Sequence, residues 1–184
     1  MNLHASACDE LRDWTPSSDP QRDLRKSFLA YLADHADGVW RSSAPAHLTA
    51  SAVILDTEQR QLLLVLHRKV GRWLQPGGHC EVSDPSLGAA ALREATEESG
   101  IAGLELMPDI LHLDRHPAPC NPGVVEEHLD VRYLVLAPPG SPAVTSAESI
   151  DARWFGWDAL PHDLEPTIVD MLRVARDRLG LGSV

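Results

Sequence analysis

Three glutamates, Glu94, Glu97 and Glu98, fall within 93-REATEESG-100, behind Arg93 and ahead of Gly100. On a helix they occupy i, i+3 and i+4 and project from one face, where like charges destabilise by about 0.2–0.5 kcal/mol per pair. They also lie toward the carboxyl end, where the helix dipole disfavours anions. A solvated acidic face is the ordinary explanation of such glutamates. The preceding loop, 76-PGGHCE-81, points to chemistry instead, because glycine backbone lets a ligand approach closely. Carboxylates converging near carbonyl oxygens suit a hard cation, Mg2+ or Mn2+, which would neutralise the cluster and bind phosphate oxygens.

A second constellation is built from histidines. His112, Asp114 and His116 alternate, so on a strand they share a face, and His128 and Asp130 do the same farther on. This pattern reads as an exposed polar sheet face, as a pocket wall that binds substrate, or as a zinc site. Trp73, just ahead of the glycine loop, fits either base stacking or packing.

The elements that must position these residues follow from periodicity and breakers. The run 84-DPSLGAAALREATEESG-100 predicts a helix with Asp84 as its N-cap, Pro85 in its first turn and Gly100 just past its end. Leu87, Ala91 and Ala95, with Leu92 beside them, supply its buried stripe. Residues 48–55 and 61–67 read as strands, and 62-LLLVL-66, with no polar alternation, as one covered on both faces. A short strand from Gly71 runs into the Pro–Gly loop. Residues 103–116 and 128–137 alternate as strands, 150–157 is another, and 163–180 is a closing amphipathic helix. Upstream of Ala46 the chain reads as helical, with Pro20 opening a helix that Gly38 ends. The fold class is α/β with a mixed sheet, in two parts: a helical extension over 1–45 and a main domain over 46–184.

The chain has 184 residues, 43% hydrophobic and 23% charged, which suits a globular domain with a sizeable core. A net charge of −11 argues against binding a nucleic-acid duplex, while leaving a metal-bound nucleotide open as substrate. Cys8, Cys80 and Cys120 form no disulfide framework, no apolar run spans a bilayer, and no signal peptide is recognisable at the start. A cytoplasmic protein is expected.

The run 77-GGHCEVSDPSLGAAALREATEESGI-101 resembles the signature of the Nudix hydrolases. The second half of that box is matched at every fixed position by Arg93, Glu94, Glu97, Glu98, Gly100 and Ile101, with Ala95 in its apolar slot. Counting from Gly78, the box's first glutamate falls at Asp84, and the spacing from there to Arg93 is one residue longer than the family's. Asp84 or Glu81 stands in for that glutamate, with Asp84 read as the helix cap.

The resemblance covers about residues 46–160 and implies an α/β/α sandwich. It also implies divalent-metal-dependent hydrolysis of a pyrophosphate bond in a small nucleoside diphosphate-linked substrate. Carried over by position, Glu97, Glu98 and the Gly77 carbonyl would hold metal. Glu94 would hold metal or deprotonate the attacking water, and Arg93 would hold Glu94. The family often recruits a later glutamate, for which Glu148 is the candidate, with Glu126 and Glu127 behind it. Trp73, His112, His116, His128 and Asp130 are the expected substrate wall, and the family suggests a homodimer. Alternatives are a Nudix-fold module that senses a nucleotide without cleaving it, and an isoprenoid diphosphate isomerase-like enzyme using Cys80.

Overall fold

The structure, a computed structural model, describes residues 2–58, 60–118, 125–147 and 149–181. Two helices open the chain, α1 (Leu3–Asp13) and α2 (Asp19–Asp34). Strands β1 (Ala46–Asp56), β2 (Gln61–His67), β3 (Trp73–Leu74) and β4 (Gly77–His79) lead into α3 (Leu87–Ser99). Then come β5 (Glu105–Pro117), β6 (Glu127–Leu136), β7 (Ser149–Gly156) and α4 (Thr167–Arg178).

The strands form one seven-stranded sheet with the path β3-β2-β1-β6-β5, to which β4 adds on β1 and β7 on β2. It is mixed: β1 and β6 run parallel, and the other pairs are antiparallel. As its sequence predicts, β2 is covered on both faces, with Leu62 and Leu64 toward one core and Leu63 toward another.

Alternation along β1 divides the two faces. Leu48, Ala50, Ala52 and Ile54 face a layer built from α1, α2 and the Ala90, Ala91 and Ala95 stripe of α3. On the other face, Val53 and Leu55 meet Ile168, Met171, Leu172 and Ala175 of α4. That second face is apolar only where α4 covers it. Its remaining part carries His47, Thr49 and Ser51, beside His128, Asp130 and Arg132 on β6.

Four local expectations are corrected. The helix α3 is capped by Ser86, whose Oγ accepts from Ala89 N at 3.1 Å, and not by Asp84, whose carboxylate is taken by Arg93 and the Glu81 N–H. The glycine segment is itself a strand, β4, because Gly77 and Gly78 pair with Ser51 and Ala50. The helix α4 starts at Thr167 and not near Asp163, since Pro166 disfavours helical backbone in the residue before it. In α2, Ser18 supplies the cap and His35 the stop, so Gly38 lies beyond the helix end.

Candidate active site

Helix α3 brings its glutamates onto the backbone of β4. Glu98 is buried, with 5% exposure, and its Oε2 accepts from Gly77 N at 3.0 Å. A Cβ on Gly78 would lie 2.6 Å from Oε1 of Glu94, and one on Gly77 only 2.3 Å from the Ser51 Cβ. Gly77 is therefore required by the close approach of β1, whereas a side chain on Gly78 would displace the Glu94 carboxylate. Glu97, one turn from Glu94, keeps a side chain 60% exposed. A solvated acidic face accounts for Glu97 and fails for Glu94 and Glu98.

Arg93 ties the cluster together. It donates through Nε and Nη2 to the two oxygens of Asp84 at 3.1 and 3.0 Å, through Nη1 to Glu94 at 3.0 Å and Glu97 at 3.2 Å, and through Nη2 to the His79 carbonyl at 2.9 Å. Asp84 also accepts from Glu81 N at 2.7 Å. Burial alone would raise the Asp84 carboxyl; the Arg93 guanidinium and the Glu81 N–H outweigh it and hold the group below its ordinary value. Glu81 contributes its backbone N–H to this arrangement.

On the α4 side of the sheet lies a polar network. Asp130 accepts from Thr49 Oγ1 (2.9 Å), Ser51 Oγ (2.8 Å) and Arg132 Nε (2.7 Å). Arg132 continues to Asp114 at 2.9 Å, and Asp114 holds His116 Nδ1 at 2.8 Å. Burial lowers the His116 pKa and the Asp114 hydrogen bond raises it, with the Asp130 charge adding to the rise; the net shift is upward.

Beside it stand three more imidazoles. The ring centres of His47, His79 and His128 are 5.0 to 5.3 Å apart, and the His116 ring is 5.4 Å from that of His128. Burial pushes His79 down to about 4 and His128 to about 3, with neighbouring positive groups adding to both, and also lowers His47.

The expected site residues are therefore brought into two adjoining groups. Arg93, Glu94, Glu97, Glu98 and Gly77 meet at the α3–β4 contact; His116, His128 and Asp130 meet on the polar face. His112 sits apart at the sheet edge, where its Nε2 lies 3.0 Å from the Gln21 amide nitrogen of α2. Trp73 packs edge-on against Phe155 at 4.8 Å, within the α4 core. Glu148 lies outside the described residues, Glu127 pairs with Arg115 at 2.7 Å, and Glu126 is exposed. Cys80 faces the apolar core, where burial pushes its thiol up to about 12.

Sequence reasoning missed Asp84 as the partner of Arg93, and it missed His47, His79, Thr49, Ser51 and Arg132. The alternation His47-Thr49-Ser51 was a usable signal, but its partner, His128-Asp130-Arg132, is 81 positions away and meets it only through the parallel ladder.

The fold, a mixed sheet between helical layers, is shared by several solved structures. The C. elegans Ap4A hydrolase, in a binary complex, superposes with a TM-score of 0.61 at 18% identity, covering 73% of this chain and 98% of that one. A MutT NUDIX hydrolase from Burkholderia pseudomallei gives 0.54 at 26% identity, over 70% and 96% of the two chains. The NUDIX domain of Shewanella oneidensis NrtR, solved with ADP ribose, gives 0.54 at 22% identity, over 82% and 97%. No curated protein matches. The NUDIX domain model matches residues 45–174, and the chain belongs to the Nudix family. Among the described residues no helix is long and apolar enough to cross a membrane.

Proposed function

We propose that this Nudix protein is a pyrophosphohydrolase that depends on a divalent cation and cleaves a diphosphate linkage in a small nucleoside diphosphate-type substrate. The observation that carries this reading is the seating of Glu94 and Glu98 on the bare backbone of Gly77–Gly78, with Glu94 held from the other side by Arg93. The donor set fits a hard cation: the carboxylates of Glu94, Glu97 and Glu98 and the Gly77 carbonyl are all oxygen ligands, suited to Mg2+ or Mn2+. Glu148 is proposed as a further ligand.

A bound cation supplies a lowered pKa for its water and neutralises charge on the leaving phosphate. Glu94 accepts the proton of the attacking water, and Arg93 fixes the orientation of that carboxylate through Oε1. Asp84 and the His79 carbonyl in turn hold Arg93. His116, His128 and Asp130 are proposed to line the substrate side, with Asp130 positioning Arg132 and the rest of the network. His112 and Trp73 are proposed to act from farther out, His112 beside Gln21 and Trp73 against Phe155.

The helical segment 1–45 is proposed as an extension that braces the main domain, 46–184, because Glu10 of α1 accepts from the first α3 amides, Leu87 N at 3.0 Å and Gly88 N at 3.4 Å. A cytoplasmic homodimer is the expected setting. The burial of Cys80 away from the polar face weighs against an isomerase.

The test is a screen of nucleoside triphosphates, sugar nucleotides and dinucleotide polyphosphates with Mg2+, scored for phosphate products. Turnover that a chelator abolishes, that Mg2+ or Mn2+ restores and that Glu94→Gln and Glu98→Gln remove is the expected result. Nucleotide binding with no turnover of any substrate would favour the sensor, and activity surviving chelation would overturn the mechanism.

A further inference from the structure

We propose that His47, His79 and His128 form a second metal site, for a transition-metal ion of the zinc type, distinct from the glutamate cluster. One ligand atom from each residue lies within 4.8 Å of the other two. The Nε2 atoms of His47 and His79 are 3.1 Å apart. Two Zn–N bonds of about 2.0–2.1 Å at a tetrahedral angle separate their nitrogens by about 3.4 Å, so this pair stands close to ligating distance, and the third ring needs to swing in by little more than an ångström.

The orientation of His47 is set from behind. Its Nδ1 lies 3.3 Å from the Ser43 carbonyl, which can only accept, so Nδ1 carries the proton and Nε2 turns a lone pair toward His79. A backbone carbonyl behind a ligating imidazole is the usual support of a metal-bound histidine.

The three side chains come from three strands, β1, β4 and β6, with His47 directly beside His128 in the parallel ladder and His79 one step along β1, opposite Thr49. Among the described residues the side-chain hydrogen bonds of His47 and His79 reach only the Ser43 carbonyl and each other, and no carboxylate. The 3.1 Å contact between them is the hydrogen bond of two imidazoles, which a metal ion would replace by taking one lone pair from each ring.

Ligand chemistry separates the two sites. Imidazole nitrogen suits zinc, copper, nickel or iron, whereas Mg2+ prefers oxygen. Three neutral nitrogens leave a fourth position open, as in catalytic rather than structural zinc sites. Arg41 and Lys69 add positive charge around this cluster, so the open position would take an anion, hydroxide or a phosphate oxygen. The sites also touch: the His79 carbonyl binds Arg93, and Gly77, two residues earlier on β4, binds Glu98.

The experiment loads metal-stripped, full-length protein with Co2+ and reads the visible absorption and the bound stoichiometry. One equivalent is expected, with the spectrum of a nitrogen-rich four-coordinate ion. It should survive excess Mg2+ and Glu98→Gln, and disappear in His79→Gln and in His128→Gln. Should either histidine variant fail to fold by circular dichroism, anomalous diffraction from wild-type crystals soaked in Zn2+ locates the ion directly. No cobalt spectrum, a spectrum lost in Glu98→Gln but kept in His79→Gln, or an anomalous peak at the glutamates alone would overturn the proposal. None of these readouts depends on turnover, so the hydrolase reading can fail while this site stands, and the reverse.

Discussion

Replacing Asp84 with asparagine preserves shape and removes the charge that faces Arg93. In the native protein the Asp84 carboxylate accepts three hydrogen bonds, two from Arg93 and one from Glu81 N, with its side chain 5% exposed and that of Arg93 19% exposed. Removing one member of a buried ion pair costs about 3–5 kcal/mol. Arg93 keeps Glu94, Glu97 and the His79 carbonyl, so the loss belongs at the lower end, about 3 kcal/mol. An N-cap at this position would be worth only ~1 kcal/mol, which is the loss expected instead for Ser86→Ala.

The assay is urea unfolding at pH 7, with the midpoint shifting at unchanged slope. Acidification gives a second handle. The folded Asp84 pKa lies below its ordinary 3.8, so its contribution is complete above that value and is lost as pH falls through the folded pKa. The gap between wild type and Asp84→Asn should therefore narrow below pH 3.8. Turnover should drop about ten- to a hundredfold, because an unanchored Arg93 no longer orients Glu94. A stability loss below about 0.5 kcal/mol with normal turnover would refute the reasoning, since that is the range of an ordinary surface position.

Glu10→Ala should cost about 1–2 kcal/mol by removing the acceptor of the Leu87 and Gly88 amides and the 2.7 Å partner of the Tyr133 hydroxyl, with the Ser86 cap left in place, while turnover per folded molecule stays at the wild-type level; thermal melts and active-site-normalised rates check this. Gly78→Ala forces the Glu94 carboxylate to move and should depress turnover far more than the melting temperature. In metal-free buffer, stability should fall from pH 6.5 toward 4, because His79 and His112 (about 4) and His128 (about 3) stay neutral when folded, while the unfolded chain takes up protons near 6.5. The slope reaches ~1.4 kcal/mol per pH unit for each such histidine. His116, with its raised pKa, acts in the opposite sense and above this window: its contribution is complete below 6.5 and is lost as pH climbs through its folded value. Melting temperatures that stay level over this range would contradict those directions.

What the sequence alone determined is what local periodicity can carry. The spacing of Glu94, Glu97 and Glu98 puts them on one helical face whatever surrounds the helix, and 62-LLLVL-66 announces a strand covered on both sides. The box from Arg93 to Ile101 was legible for the same reason, since residues 93–99 lie on one continuous helix that Gly100 ends in the left-handed conformation. Only the tertiary structure decided which of those glutamates is buried: the difference between Glu98 and Glu97 comes from β4 lying against one and solvent against the other. It also decided that Asp84 serves Arg93 and leaves the capping to Ser86, a choice between two neighbouring oxygen-bearing side chains that propensity ranks as equals. The histidine triad was illegible because His47, His79 and His128 belong to three strands, and which strands pair, and in what register, depends on how the whole sheet buries its apolar face.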